Sequence, residues 1–377
     1  MEELKKFRDA IDEIDQSIVE LFERRMAISE QVADYKISTG KKVFDREREV
    51  AKINAVMDMT HNDFNRHGVE ELFQQIMAMS RKLQYQLLGK NGVVGRLPFI
   101  AVDEIRRENV RVVYQGVEGA YSQAAMKQYF RDNITSFHVE QWRDAMEAIA
   151  EGSADYAVLP IENSTAGVVS DMYDLLVEFE NYIVGEQIIR CEHKLLGLPG
   201  TKLADIKSVY SHPQGLMQCK YFLNSHRDWK QIPLENTAVA AKKVAQEADP
   251  SQAAIASEFA GECFGLEVLT DQPIYRNEAN STRFIIVSNQ RIFRQDAGKI
   301  SIYFELPHIS GSLYNILSHF IYNNLSMNNI ESRPIPGRNW EYRFFIDFEG
   351  NLSDGGVKNA LRGIREEAIN MKILGNY

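Results

Sequence analysis

Cysteine is scarce: Cys191, Cys219 and Cys263 are the three in 377 residues, widely spaced and odd in number. They suggest neither a disulfide framework nor a zinc site. Proline is absent before Pro98, so nothing in that stretch forbids long uninterrupted helices. No apolar run approaches the roughly 20 residues that span a bilayer. An excess of basic residues is also lacking. The formal net charge of −10 argues against general attraction to nucleic acid or an anionic membrane, though not against a local basic pocket for a small anion. The opening MEELKKFRDAIDEID is amphipathic and acidic, without the apolar centre of a signal peptide, so cytoplasm is the expected compartment. What is present is ordinary for a soluble chain of two or three domains: 44% hydrophobic and 25% charged residues.

Residues 1–90 read as helix almost throughout. Phe7, Ile11, Ile14, Ile18, Leu21, Phe22, Ile28 and Val32 recur at three- and four-residue steps. Gly40 predicts the end of the first helix, Asp45 is placed to cap a second, and Val69–Leu88 form a third. Three such long, thin helices cannot bury their apolar faces alone, and dimerisation is the expected remedy.

Charges in these apolar surroundings need a reason. Arg25 and Lys36 are eleven residues apart, nearly on one helix face and about 16 Å apart along the axis, a gap two long cations can close around a small dianion. Asp45, Arg48 and Glu49 fall at i, i+3, i+4, and Ser80 and Gln84 at i, i+4, so each set shares a face. Arg8 lies about 25 Å from Arg25 along a straight helix, so one chain cannot easily bring both to the same ligand. Arg8, Arg25, Lys36, Asp45, Arg48, Glu49, Ser80 and Gln84 together resemble the site pattern of the all-helical chorismate mutases. That resemblance implies an interlocked helical dimer with Arg8 crossing from a second chain, Lys36 and Gln84 donating to the breaking ether, and Glu49 taking the ring hydroxyl.

Residues 91–108 mix glycine, a proline and charge, and read as a linker. Beyond it, strands are expected at Val110–Tyr114, Asp155–Leu159, Ser208–Tyr210, Ala253–Ala256 and Arg283–Val287. Helices are expected at Tyr121–Phe130, 141–151, 168–180, 214–224 and 236–248, giving a mostly parallel α/β region. In DYAVLPIENSTAG the apolar run should end at Pro160, with a polar turn leading to a helix N-terminus, the layout in which open α/β sheets make anion crevices. In SHPQ, Ser211 is placed as a helix cap with Pro213 in the first turn. YQGVEGAYS, DYAVLPIENSTAG, SHPQ and STRF together resemble prephenate dehydratase. The resemblance implies a 109–290 domain of two α/β lobes, periplasmic-binding-protein-like, with substrate in the cleft. Thr282 is then the proton donor to the leaving hydroxyl, and Glu162, Asn163, Ser211, Gln218, Arg283 and Phe284 bind or complete the signature.

From Gly298 the pattern becomes βαββαβ: Lys299–Glu305, helix Ser312–Tyr322, Asn329–Pro334, Glu341–Phe348, helix Ser353–Ala368 and a last extended piece. This is the α+β, ferredoxin-like plan. PHISGSLYNIL and IESRPIPG resemble the phenylalanine-sensing segments of the small regulatory domain called ACT, which implies an effector site at Gly311, Ser312, Leu313, Tyr314, Glu331, Ser332, Arg333 and Pro334. The ESRP segment is intact, whereas the usual Gly-Ala-Leu-Val stands here as Gly-Ser-Leu-Tyr.

The chain is thus similar to the bifunctional chorismate mutase–prephenate dehydratases, multidomain proteins with modules expected at 1–90, 109–290 and 298–377. The resemblance implies chorismate and prephenate as substrates, L-phenylalanine as feedback effector, a homodimer or higher homo-oligomer, and no cofactor, metal, nucleic acid or membrane. Two other readings stay open on the residues. One is a non-enzymatic amino-acid sensor whose helices only dimerise, and the other a mutase fused to an arogenate dehydratase.

Overall fold

The computed structural model describes residues 2–91, 97–275 and 279–377. Residues 92–96 of the expected linker lie outside the described residues. Two compact units are formed, Met1–Pro98 with Gly298–Ile373, and Phe99–Ala297 with Leu374–Tyr377.

The first unit begins with α1 (Glu2–Thr39), α2 (Arg46–Met57) and α3 (Asp63–Lys90). Gly40, at φ +67°, closes α1 in the left-handed conformation that favours glycine. Asp45 caps α2 as expected, accepting from the Arg48 backbone N–H at 3.1 Å. Helix α3 starts at Asp63, earlier than the expected Val69, because Asn62 caps it by accepting from the Asn65 N–H at 2.7 Å. The polar first turn shows no apolar period, so the cap decides the boundary rather than the stripe. Val43, Tyr85 and Leu88 make a small buried cluster with Ile37 packed against it.

The second unit opens with β1 (Ile100–Val102), β2 (Arg111–Gln115), α4 (Tyr121–Tyr129), β3 (Thr135–Val139) and α5 (Trp142–Ala150). It continues through β4 (Tyr156–Asn163), β5 (Gly167–Val168), α6 (Ser170–Glu178), β6 (Tyr182–Arg190), β7 (Lys194–Gly197), β8 (Ser208–Ser211), α7 (Pro213–Gln218) and α8 (Lys220–Leu223). The remaining elements are β9 (Lys230–Pro233), α9 (Thr237–Glu247), β10 (Gln252–Ala256), α10 (Glu258–Phe264), β11 (Glu267–Val268), β12 (Ser281–Ser288) and β13 (Ile292–Arg294). Two large sheets result, with strands in the order β6-β12-β4-β2-β3 and β11-β7-β10-β8-β9, beside a two-stranded β1-β13 pair. The first packs Val112, Val158 and Ile286 against Met126 of α4. The second has a core on each side, one around Val209, Ile255 and Leu223 and one around Ala254, Leu196 and Val244.

Three expectations are corrected here. The sheets are mixed rather than mostly parallel, because β12 runs antiparallel to both β4 and β6, and β7 runs antiparallel to β10. The second half of the expected linker is folded: β1 pairs with β13 in parallel, Ile105 is buried and Val102 packs against the same core, so this stretch is structure rather than spacer. Strand β4 also runs through Pro160 instead of ending there. Its partner β12 shifts register between Arg283 and Phe284, opposite Glu162 and Pro160, and a bulge is where a ladder tolerates a residue without an N–H.

The first unit is completed by β14 (Lys299–Glu305), α11 (Ser312–Tyr322), β15 (Met327–Pro334), β16 (Tyr342–Glu349), α12 (Gly355–Glu367) and β17 (Asn370–Asn376). The strand order is β15-β16-β14-β17, with Ile302, Phe304, Phe320, Phe348, Val357 and Ile364 fully buried. Helix α12 packs on α3, so within this unit the opening helices and the βαββαβ segment share an interface.

Candidate active sites

In the first unit, α1, α2 and α3 bring seven of the eight expected helical residues to one region. Arg25 donates through Nη1 to the Ser80 hydroxyl, which also lies 3.2 Å from Ser29 Oγ. Lys36 donates to the Val43 carbonyl at 2.7 Å, a contact that uses one of its three ammonium protons. Burial pulls the Arg25 guanidinium and the Lys36 ammonium below their ordinary ranges. Glu49 opposes the shift at both groups, and Asp45 and Glu366 oppose it at Lys36. Both cations are half-desolvated, which favours an incoming anion. Gln84 is 7% exposed, and its amide oxygen is buried without a hydrogen-bond partner. An orphaned polar atom costs on the order of 1–3 kcal/mol unless something meets it. Asp45 is used as the α2 cap, and Arg48 is exposed on the same helix.

Arg8 is not brought to this cluster. It lies near the start of α1, where Phe7, Ile11, Ile14, Ile18 and Leu21 are each more than half exposed. Among the described residues nothing covers that stripe.

The central unit gathers a polar chain around Thr282. Asn163 Nδ2 donates to Thr282 Oγ1 at 2.9 Å and to Asn280 Oδ1 at 3.0 Å. The Asn163 amide oxygen is held by the backbone N–H groups of Thr165 and Ala166 at 3.0 and 2.8 Å. IENSTAG is therefore a tight hairpin, with Asn163 opposite Gly167, rather than a direct lead into a helix. Asn280 donates in turn to Gln218 Oε1 at 2.9 Å, an oxygen also met by His193 Nε2 at 2.8 Å. Because that oxygen only accepts, His193 Nε2 carries the proton, and Nδ1 is left as acceptor for the Tyr121 hydroxyl at 3.2 Å. Burial holds His193 below its usual range, so it is neutral at pH 7. Cys191 Sγ stands 3.1 Å from Thr282 Oγ1, and burial pushes its thiol up. The arrangement leaves a hydroxyl whose acceptor side is filled by an amide and whose own proton can be given to a ligand.

Other expected residues land differently. Arg283 pairs with Glu162 at 3.3 Å and Glu186 at 3.4 Å beside the Thr282 register. Ser211 is fully buried at the end of β8 and donates to the Ile255 carbonyl at 2.7 Å. The helix cap is His212, whose Nδ1 accepts from the Gln214 N–H, so the expected Ser211 cap is corrected by one residue. Phe284 is 3% exposed inside the core with Val158 and Met126, not in the polar chain.

Comparison with known proteins fits both regions. The family model for prephenate dehydratase matches residues 112–292, and that for chorismate mutase type II matches residues 7–85. The bifunctional chorismate mutase/prephenate dehydratase of Enterobacter agglomerans is 33% identical over 381 residues, covering 99% of this chain and 95% of that protein. The chain belongs to the bifunctional chorismate mutase/prephenate dehydratase family. Helices α1–α3 are its mutase and the central unit its dehydratase. Among solved structures, the prephenate dehydratase of Arthrobacter aurescens in complex with L-Phe is 30% identical, with a TM-score of 0.65 over 71% of this chain and 89% of that one. A structure described as GqqA, a quorum-quenching acylase, is 31% identical, with a TM-score of 0.63 over 70% of this chain and 96% of that one.

Sequence reading missed several polar residues that the structure adds to the two candidate sites. At the dehydratase site these are Tyr121, Cys191, His193 and Asn280, which come from four separate segments and share no local spacing. At the mutase site the omission is Arg81. It is 6% exposed and bonds Glu49 Oε1 through Nη1 at 2.6 Å and Glu367 Oε1 through Nε at 2.9 Å. One signal was legible: Glu366 and Glu367 close α12 with negative charge, against the helix dipole, so they need donors. Tyr85 donates to Glu366 at 2.8 Å and His319 meets Glu367 at 3.0 Å. Although burial alone would raise it, His319 and Arg81 hold the Glu367 carboxyl below its usual range.

In the βαββαβ segment, Gly311–Tyr314 begin α11, with Gly311 at φ +81°, and Glu331–Pro334 end the edge strand β15. Ser312 lines a pocket with Phe44, Arg46, Ile309, Asn315 and Glu367. None of Glu331–Pro334 lines it.

Proposed function

We propose that the two activities are carried by the residues named above, at separate sites, with the mutase site completed by a second copy of the chain. Chorismate to prephenate breaks an ether C–O bond as a C–C bond forms, with no proton transferred. The protein has only to hold the dianion in its reactive shape and stabilise charge on the departing oxygen. Arg25 and Arg8 of a second copy take the carboxylates, matching their planar forks to two oxygens each. Lys36 and Gln84 donate to the ether oxygen, and Glu49 accepts from the ring hydroxyl. The observation that carries this reading is the half-buried pair Arg25 and Lys36 on the helices that also bring in Ser80 and the buried Gln84. The uncovered α1 stripe supports the dimer.

At the dehydratase site, prephenate loses carbon dioxide while its ring hydroxyl leaves as water. Thr282 gives the proton, with Asn163 occupying its acceptor side, and aromatisation supplies much of the driving force. The substrate sits between the two α/β lobes, in the manner of periplasmic binding proteins. Lys36→Ala should abolish chorismate consumption and leave phenylpyruvate formation from prephenate largely intact. Thr282→Ala should do the reverse, and Thr282→Ser should retain part of the second activity. Loss of both activities in either folded variant contradicts separate sites.

The segment 298–377 is read as an ACT domain that binds L-phenylalanine at an interface between two copies, through Gly311–Tyr314 and Glu331–Pro334. Support comes from its strand order and from the L-Phe complex of the Arthrobacter aurescens relative. The expected coupling is about 1–3 kcal/mol. Dehydratase turnover should fall as L-phenylalanine is added, and Gly311→Val, strained at that positive φ, should lose the response. An unchanged response in Gly311→Val places the sensor elsewhere.

A further inference from the structure

Arg81 joins two glutamates that belong to different parts of the first unit. Its Nη1 edge meets Glu49 on α2, and its Nε edge meets Glu367 at the end of α12. The Phe44 ring lies 5.1 Å from its guanidinium carbon. Arg81, the Glu367 side chain and His319 are 6%, 8% and 2% exposed, so the run Arg81–Glu367–His319 is withdrawn from water and Glu49 stands at its open end. Such a chain is poor value as a source of stability, because desolvating its charges offsets most of their attraction, and apolar residues of similar volume usually serve as well. What it does supply is direction. A guanidinium binding two carboxylates along two edges fixes both in its plane, which a lysine ammonium cannot do.

We propose that Arg81, anchored on Glu367, is a positioning residue of the mutase site that sets the carboxylate of Glu49 for the substrate's ring hydroxyl. The inference rests on the mutase reading above and extends it to α12. Glu49 sits on a helix that is mostly exposed and short of core, with Val56 its one buried residue. Its side chain is 23% exposed, so one face of the carboxylate stays open to ligand while Arg81 holds the other. A carboxylate has acceptor capacity for both. The C-terminal segment thereby becomes part of what shapes the mutase site.

The test measures chorismate turnover in the full-length chain for Arg81→Met, Arg81→Lys and Glu367→Gln, alone and combined with Glu49→Gln. Misplacing a positioned group can cost about a hundredfold, and a loss of that order in kcat/KM is expected for Arg81→Met. Arg81→Lys and Glu367→Gln should be intermediate, with prephenate dehydration unchanged in all three. In the Glu49→Gln background, Arg81→Met should add little further loss, whereas a purely structural role would add its full cost again. Turnover within twofold of the parent in both Arg81→Met and Glu367→Gln, or full additivity with Glu49→Gln, overturns the proposal. Unimpaired chorismate turnover in Glu49→Gln itself would instead overturn the mutase reading on which the proposal rests.

Discussion

In the proposed dehydratase mechanism Thr282 is a weak acid made useful by its neighbours. Asn163 fills its acceptor side, and Asn163 is itself fixed through Asn280, Gln218 and His193. The far end of that chain gives a prediction in pH. Burial holds the folded-state pKa of His193 below the ordinary value of about 6.5. As pH falls through that value the unfolded chain takes up the proton first, so the stability contributed by the neutral ring is lost on acidification. The thermal midpoint of the parent chain should fall towards that of His193→Asn between about pH 7 and pH 5. A gap that stays constant over that range contradicts a buried neutral histidine. Thr282, Asn163 and Gln218 were singled out because each stands in a short motif, SHPQGLMQ, IENSTAG or STRF, and the structure links them in one hydrogen-bonded chain. His193 and Asn280 were not, since only the pairing of β12 with β4 and β6 brings their segments to the motif. Phe284 shows the opposite error: its place in STRF suggested a ligand contact, and its own apolar surface took it into the core.

Among the elements, α1 was read almost to its last residue because a long amphipathic stripe and one glycine define it. Strands β6 and β9 were missed: YIVGEQIIR breaks its apolar alternation at glycine and glutamate, and KQIP is too short to show any. Helix 214–224 was read as one piece and is two, Pro213–Gln218 and Lys220–Leu223, parted at Cys219. The stripe on α1 also makes the firmest element-level prediction. Ile14 and Ile18 are 60% and 53% exposed, on a stretch of α1 that the other described residues leave uncovered. A charge there should block a second copy from docking. Ile18→Asp should lower the mass of the association product seen by light scattering and abolish chorismate turnover. Parent-like mass together with parent-like turnover would make the stripe irrelevant to the site.

At the level of the whole molecule, sequence order and spatial grouping differ. Modules are expected from the sequence at 1–90, 109–290 and 298–377, whereas the first and last segments of the chain fold into one unit around α3 and α12. No local pattern announces that grouping, which depends on Arg81, Tyr85, Glu366 and Glu367 meeting across more than 280 positions of sequence. The central claim is that two chains together build each mutase site, with Arg8 from one and Lys36 from the other. The most direct measurement mixes two inactive variants, Arg8→Ala and Lys36→Ala, after unfolding and refolding them together. Random pairing places both lesions in one site of each mixed dimer and leaves its other site whole, so about a quarter of parental chorismate turnover should return. If the mixture stays as inactive as its two components, Arg8 and Lys36 serve the same chain and the account fails.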